Sequence, residues 1–241
     1  MPDELKGKVV MVTGASGNVG SAIVKACADA GACIALVDIH AERIANIINT
    51  DLGGDTECYK GFPADLSDVH AVNTLIEHIV DQFTQIDALI NTVGGFSMGD
   101  PVHAGKLDIF DKMMALNART TYLVCGRVAK HMVDNIVHGS ITTILARSGQ
   151  KGMKNQAAYT ASKAAATRIM ESMALELRDH NIRVNGVSPS IVDTPPNRND
   201  MPNADFDKWV KPSEIGALAV FLASDAASAI SGANIEISGK S

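Results

Sequence analysis

Hydrophobic and polar positions along this chain fall into blocks whose period alternates between two and about 3.6 residues. Short aliphatic or β-branched runs predict strands at Lys8 to Val12, Cys33 to Val37, Ile86 to Ile90, Ser140 to Leu145, Ile182 to Val187 and Ala233 to Ile237, with a weaker one at Glu57 to Phe62. Helical periodicity fills the intervals. Asn18 to Ala30 places Val19, Ile23, Val24 and Cys27 on one face, and Asp68 to Phe83 carries the stripe Val69, Val72, Leu75, Ile76 and Ile79. Further helices are predicted at Ala41 to Thr50, Leu107 to His131, Ala157 to Asp179 and Glu214 to Ala223. Strands alternating with helices of this length imply βαβ units with right-handed crossovers, hence an α/β fold with a parallel sheet covered on both faces. Pro189 to Pro212 is polar, proline-rich and without regular pattern. Loops of that length usually cover a binding site.

The 241 residues suit one large domain, and neither an internal repeat nor a low-complexity linker divides residues 1–241. A net charge of -6, with no Lys/Arg block, argues against a nucleic-acid or membrane-surface partner. Met1 to Lys8 is polar and charged and carries no apolar signal region, so a cytoplasmic protein is expected. The four cysteines, Cys27, Cys33, Cys58 and Cys125, are scattered without C-x-x-C spacing, and three lie in apolar segments. They read as buried reduced thiols. The seven histidines form no metal-ligand spacing, so no zinc site is expected.

Chemistry enters at Thr13-Gly14-Ala15-Ser16-Gly17-Asn18-Val19-Gly20, between the first strand and the first helix. Glycines there let the backbone turn tightly and approach a pyrophosphate, which the helix N-terminus then receives with unpaired N–H groups and a partial positive charge. Asp38 ends the second strand, where a carboxylate accepts from an adenosine ribose hydroxyl and repels a 2′-phosphate. With no Arg or Lys at positions 15–19 or 39–40 to offset it, NAD(H) is expected over NADP(H).

Tyr159 and Lys163 are four residues apart near the start of a long helix and share one face. An ammonium beside a phenol lowers the phenol pKa, which suits Tyr159 to exchange a proton near neutral pH.

These landmarks come in an order that resembles the short-chain dehydrogenase/reductase family from Lys8 to Gly239. They are the glycine turn, Asp38, Asp65-Leu66, Asn91, Asn117, Tyr159-x-x-x-Lys163, Ile182-Arg183-Val184-Asn185, Pro189, Thr194 and Ile230-Ser231-Gly232. The resemblance implies a Rossmann-type doubly wound sheet of about seven strands and hydride exchange between a nicotinamide and a small carbonyl or alcohol, including 3-oxoacyl types. It implies that Asp65 and Leu66 hold adenine, that Asn91 lines the cofactor site, and that Lys163 holds the nicotinamide ribose. It gives Asn117 a water linking Lys163 to solvent, and puts Ile191, Val192 and Thr194 on the carboxamide. The implied cofactor set also takes in Ile39, Gly94 and Pro189. A homodimer or homotetramer built on the two long helices and the last strand is implied as well.

Three departures matter. The second glycine of the turn comes one residue earlier than in the commonest form, with Asn18 in its place; Thr92-Val93-Gly94-Gly95 replaces Asn-Ala-Gly after Asn91; and Ala146 occupies the position of the family's serine, thirteen residues before the tyrosine. Ser148 is either a substitute or a plain turn residue. It would lie roughly 6.6 Å further along a continuing strand, so it serves only if a bulge or bend re-aims it. Quinonoid dihydropteridine reductases are similar in their alanine-rich segment and across Asp193-Thr194-Pro195 to Trp209. An NADH-dependent reductase of that kind, and a non-catalytic NAD(H) sensor or scaffold, are the alternatives. Trp209 reads equally as lid or loop anchor. Arg198 reads as partner of a substrate anion or of Asp193. Met113, Met114, Met132, Met170 and Met173 read as core packing.

Overall fold

The computed structural model describes residues 3–240. Seven strands form one parallel sheet: β1 (Val9–Thr13), β2 (Cys33–Asp38), β3 (Tyr59–Pro63), β4 (Ala88–Asn91), β5 (Ser140–Ile144), β6 (Arg183–Pro189) and β7 (Asn234–Ile237). Their spatial order is β3-β2-β1-β4-β5-β6-β7. The order reverses between β1 and β4, and ligands bind in such sheets outside the carboxyl ends of the strands flanking that point.

Alternation along β1 divides the core. Val10 and Val12 face the helices α1 (Asn18–Asp29), α2 (Ala41–Thr50) and α8 (Pro212–Ala223), where Ile23, Val24, Cys27, Ile44, Ile215 and Leu222 meet them. Met11 faces α3 (Val69–Phe83), α5 (Thr120–Asp134) and α6 (Ala157–Glu176), among Val72, Ile79, Val124, Val128, Met132 and Met170. Because both faces are covered, the strands are nearly continuous apolar runs. Asp68 stands just outside α3 as its cap, its carboxylate accepting from the N–H groups of His70 and Ala71 at 2.6 and 3.1 Å.

Three expectations are corrected. The long helix from Leu107 is not continuous: α4 (Leu107–Met113) passes through a π-helical turn at Met114–Arg119 into α5. The Thr120 and Thr121 hydroxyls donate to the Leu116 and Asn117 carbonyls at 2.5 and 2.7 Å, satisfying groups that the wider turn leaves exposed. The cysteines are not all free. Cys33 and Cys58 form a disulfide, Cα to Cα 4.4 Å, because the β2–β3 register sets them side by side. A disulfide is not the norm for a reducing cytoplasm. Cys27 and Cys125 are buried thiols, and burial pushes both pKa values up to about 12. Third, the stretch after Pro189 is organised. It holds α7 (Pro195–Asp200), a short 3-10 turn at Phe206–Lys208, and a bridge between Val192 and Val210. Among the described residues no helix is long and apolar enough to cross a membrane.

Candidate active site

The turn between β1 and α1 is shaped by two close approaches. Gly14 has φ +63°, and a Cβ on it would sit 2.6 Å from Thr92 Oγ1. A Cβ on Gly20 would lie 2.0 Å from the Gly14 carbonyl oxygen, so the first turn of α1 rests directly on the loop backbone. Gly17 precedes the helix without a capping side chain, leaving the first-turn N–H groups for an anion. The neighbouring strand is stitched to this turn. Thr13 Oγ1 donates to Asn91 Oδ1 at 2.7 Å, Thr92 N–H donates to Thr13 Oγ1 at 3.1 Å, and Thr92 Oγ1 donates to the Thr13 carbonyl at 2.5 Å. Asn91 is therefore spent on the sheet.

Asp38 closes one side of the turn. Its two oxygens accept from Ser16 N–H at 3.1 Å and His40 N–H at 3.2 Å. Partial burial works to raise its pKa, but hydrogen bonds from the Ser16 hydroxyl and from the Ser16, His40 and Ile39 backbones outweigh it and hold the carboxyl below its usual range. Asp65 is likewise held low, first by the Ser67 hydroxyl at 2.7 Å and then by its N–H.

A cavity of about 710 Å³ runs from this turn across the carboxyl ends of β1 and β4. Of the residues expected to hold a dinucleotide, Gly14, Ser16, Gly17, Asn18, Val19, Gly20, Asp38, Ile39, Asp65, Leu66, Gly94, Tyr159, Lys163, Val192 and Thr194 line it. Asn91, Pro189 and Ile191 do not. Asn91 and Pro189 are buried in strands, and the Ile191 carbonyl accepts from Val210 N–H in the covering loop at 3.0 Å. Sequence reasoning missed Arg43 and Phe96, which also line the cavity. Arg43 had a signal: four residues before the buried Ile47, it borders the inward stripe of α2 at the end nearest Asp38. Phe96 directly follows the two glycines after β4.

At the other end, Lys163 is buried and its ammonium donates to the Ile144 carbonyl at 3.1 Å. Burial pushes its pKa down to about 8. The expected lowering of the Tyr159 pKa is not met. Burial raises it, and the opposing pull comes from a hydrogen bond with the Ser148 hydroxyl. Lys163 is itself desolvated and engaged on a carbonyl. Ser148 reaches Tyr159 because β5 ends at Ile144 and a 3-10 turn at Arg147–Gln150 follows the extended Ala146. Ser148 and Asn117 do not line the cavity. Asn117 Oδ1 accepts from Gly95 N–H at 3.0 Å, and its Nδ2 donates to the Gly95 carbonyl at 3.0 Å and to Ser162 Oγ at 2.9 Å. Ser162 in turn donates to the Tyr159 carbonyl at 2.8 Å.

The covering loop holds Arg198 on both Asp193 oxygens, at 2.6 and 2.8 Å, which answers the open question of its partner. Trp209 is buried against Phe206, centroids 4.8 Å apart, and does not line the cavity: it is an anchor. Among the described residues no group of three or more His, Cys, Asp or Glu could hold a metal ion.

The chain matches the family model for short chain dehydrogenase over residues 8–205. It is 35% identical to a D-threitol dehydrogenase of Mycolicibacterium smegmatis over 98% of this chain and 93% of that protein. It is similar to the solved structure of an NAD+-bound xylitol dehydrogenase at 27% identity and a TM-score of 0.88, covering 98% of this chain and 99% of the other. A levodione reductase structure gives 0.91 at 25% identity, over 98% and 97%. Fold and relatives together define an oxidoreductase that uses a nicotinamide dinucleotide on alcohol or carbonyl substrates. The chain belongs to the short-chain dehydrogenase/reductase family.

Proposed function

We propose that this enzyme interconverts a small secondary alcohol and its ketone with NAD(H), using Tyr159 as proton donor and acceptor. The observation that carries this is the placement of Tyr159 and the buried Lys163 together on the cavity at the carboxyl ends of the strands, with the Ser148 hydroxyl pulling the phenol pKa down against burial although Ala146 stands at the family's serine position. The glycine turn and the α1 N-terminus fit a pyrophosphate, Asp38 fits an unphosphorylated ribose, and Asp65 with Leu66 fits adenine. When bound, the dinucleotide supplies or accepts the hydride.

In the reducing direction Tyr159 gives its Oη proton to the substrate oxygen as charge builds there, and in the oxidising direction it takes that proton back. Lys163 keeps two ammonium protons beyond the one given to Ile144, enough to hold ribose hydroxyls. Asn117, clamped to Gly95 and Ser162, fixes the loop facing Tyr159. Ser148 acts through the phenol, whose pKa its hydroxyl pulls down against burial. The quinonoid-substrate alternative drew on the alanine-rich segment and on the loop from Asp193 to Trp209; a Ser148 hydroxyl acting on the phenol weakens the first and leaves the second. Tyr122 and Leu175, 71% and 66% exposed on α5 and α6, support assembly through the two long helices.

NADH oxidation by a ketone panel tests the proposal. Tyr159→Phe is expected to abolish turnover while NADH affinity, followed by fluorescence, stays within a few-fold. A fully active variant would refute Tyr159 as the proton donor, and NADH binding without turnover of any substrate would favour the sensor.

A further inference from the structure

Phe96 stands at the reactive end of the cavity, its ring meeting Tyr159 edge-on with centroids 4.9 Å apart and planes at 83°. More than half of its surface, 56%, is exposed. The backbone leading up to it is held in place. Asn117 holds both backbone groups of Gly95, and a Cβ on Gly94 would meet Asn117 Oδ1 at 2.6 Å and Lys163 Nζ at 3.1 Å. The backbone is thus pressed against the reactive pair, and the next side chain along is Phe96.

Charge narrows what such a ring can meet. The ionisable side chains Asp38, His40, Arg43 and Asp65 line the adenosine end, and Lys163 is the one cation lining the reactive end. Arg198, in the covering loop, is taken by Asp193 and lies 4.7 Å over the Phe206 ring. The Asn197 amide donates to the Val192 carbonyl at 2.8 Å. With Lys163 given to the ribose as proposed above, no other cation among the described lining residues stands beside Tyr159 for a carboxylate or phosphate on the substrate, while Leu116, Val192 and Pro196 give the wall an apolar character.

We propose that Phe96 makes the site selective for uncharged, ring-shaped secondary alcohols and ketones, covering the C–H flank of the ring while its oxygen reaches Tyr159. A rigid aromatic face at this distance favours a compact ring over an open chain, whose conformational freedom must be lost on binding. The inference rests on the hydride-transfer function proposed above.

The test measures kcat and KM with NADH for cyclohexanone, for dihydroxyacetone as an open polyol ketone, and for acetoacetate as a charged one. Cyclohexanone is expected to have a kcat/KM at least tenfold above both. Phe96→Ala is expected to cut the cyclohexanone value at least tenfold, chiefly through the KM for the ketone, leaving the other two within threefold. Phe96→Leu removes less bulk and is expected to fall between. Equal or better use of either open-chain ketone, or a Phe96→Ala loss shared by all three, overturns the selectivity while leaving the dehydrogenase function standing. NADH binding with no turnover of any ketone overturns both.

Discussion

Ser148→Ala isolates the contact on which the proton-transfer proposal depends. The substitution removes the hydroxyl that opposes burial at the Tyr159 phenol, and Ala146, buried and bearing only a methyl group, offers no replacement. Burial already holds the Tyr159 phenol above its ordinary pKa, and Ser148 supplies the opposing hydrogen bond, so its loss drives the phenol further from the anionic form. A hydrogen bond to a group that becomes charged is worth about 1.5–3 kcal/mol. At about 1.4 kcal/mol per factor of ten, kcat falls by roughly ten- to a hundredfold. Ser148 does not line the dinucleotide cavity, so NADH affinity stays within twofold. Stopped-flow rates over a pH series are the assay. In the alcohol-oxidising direction the alkaline rise that reports Tyr159 ionisation moves to higher pH in the variant, a shift that a loosened turn would not produce. Adding Ala146→Ser to the Ser148→Ala variant restores part of the rate if a hydroxyl next to the phenol is what counts. A kcat within threefold of the parent, with an unmoved pH profile, refutes the role given to Ser148.

Asp38→Asn removes the charge that repels a 2′-phosphate and leaves Arg43 in the same cavity, so the NADPH-to-NADH affinity ratio rises at least tenfold in fluorescence titrations. Gly20→Ala drives a Cβ into the Gly14 carbonyl, 2.0 Å away, and is expected to cost about 1–3 kcal/mol in urea unfolding, together with most of the NADH affinity. His131 Nε2 accepts from Ile86 N–H at 3.4 Å, and burial holds its pKa below the ordinary 6.5, against the pull of Asp134 and Asp87. Its stabilising effect is complete above about 6.5 and declines as pH falls from there toward the lower folded-state value, because the unfolded chain then takes a proton that the fold resists. His131→Asn should flatten the urea midpoint between pH 7.5 and 5, and an unchanged slope would exclude His131 as the cause. Reducing Cys33–Cys58 frees a loop of sequence separation 25, a loss of about 3.5 kcal/mol in the chain-entropy account, read as a lower thermal midpoint with dithiothreitol.

The alternation of strand and helix was written in the hydrophobic periods, because each element had one or two faces to bury. The stripe Val72, Leu75, Ile76 and Ile79 of α3 is the inward face of that helix, and Ala41–Thr50 matches its predicted bounds. The π-helical turn was invisible because its residues are ordinary helix formers, and only tertiary contacts select the wider hydrogen-bond ladder. The disulfide was hidden because Cys33 and Cys58 are far apart in sequence and meet only through the β2–β3 register. Ser148 and Phe96 depend on how two loops bend as they leave β5 and β4. Strand spacing could place Ser148 only on a straight continuation, whereas a tight turn begins one residue after Ala146.

The wide turn at Met114–Arg119 also bears on how this gene can change in length. One residue is worth about 100° of rotation in an α-helix. The π-helical turn absorbs one such step, which lets Met113, 1% exposed, stay in the core on one side while Val124, Val128 and Met132 keep their contact with the sheet on the other. Deleting one residue between 114 and 119 would restore a regular helix with both of these faces still in register, but it would shift Asn117, which lies inside the turn, away from Gly95. A lost codon here costs the clamp on the Gly95 loop rather than the core. Length variation among descendants of this sequence should therefore gather in the covering loop and spare a helix that looks, residue by residue, unremarkable.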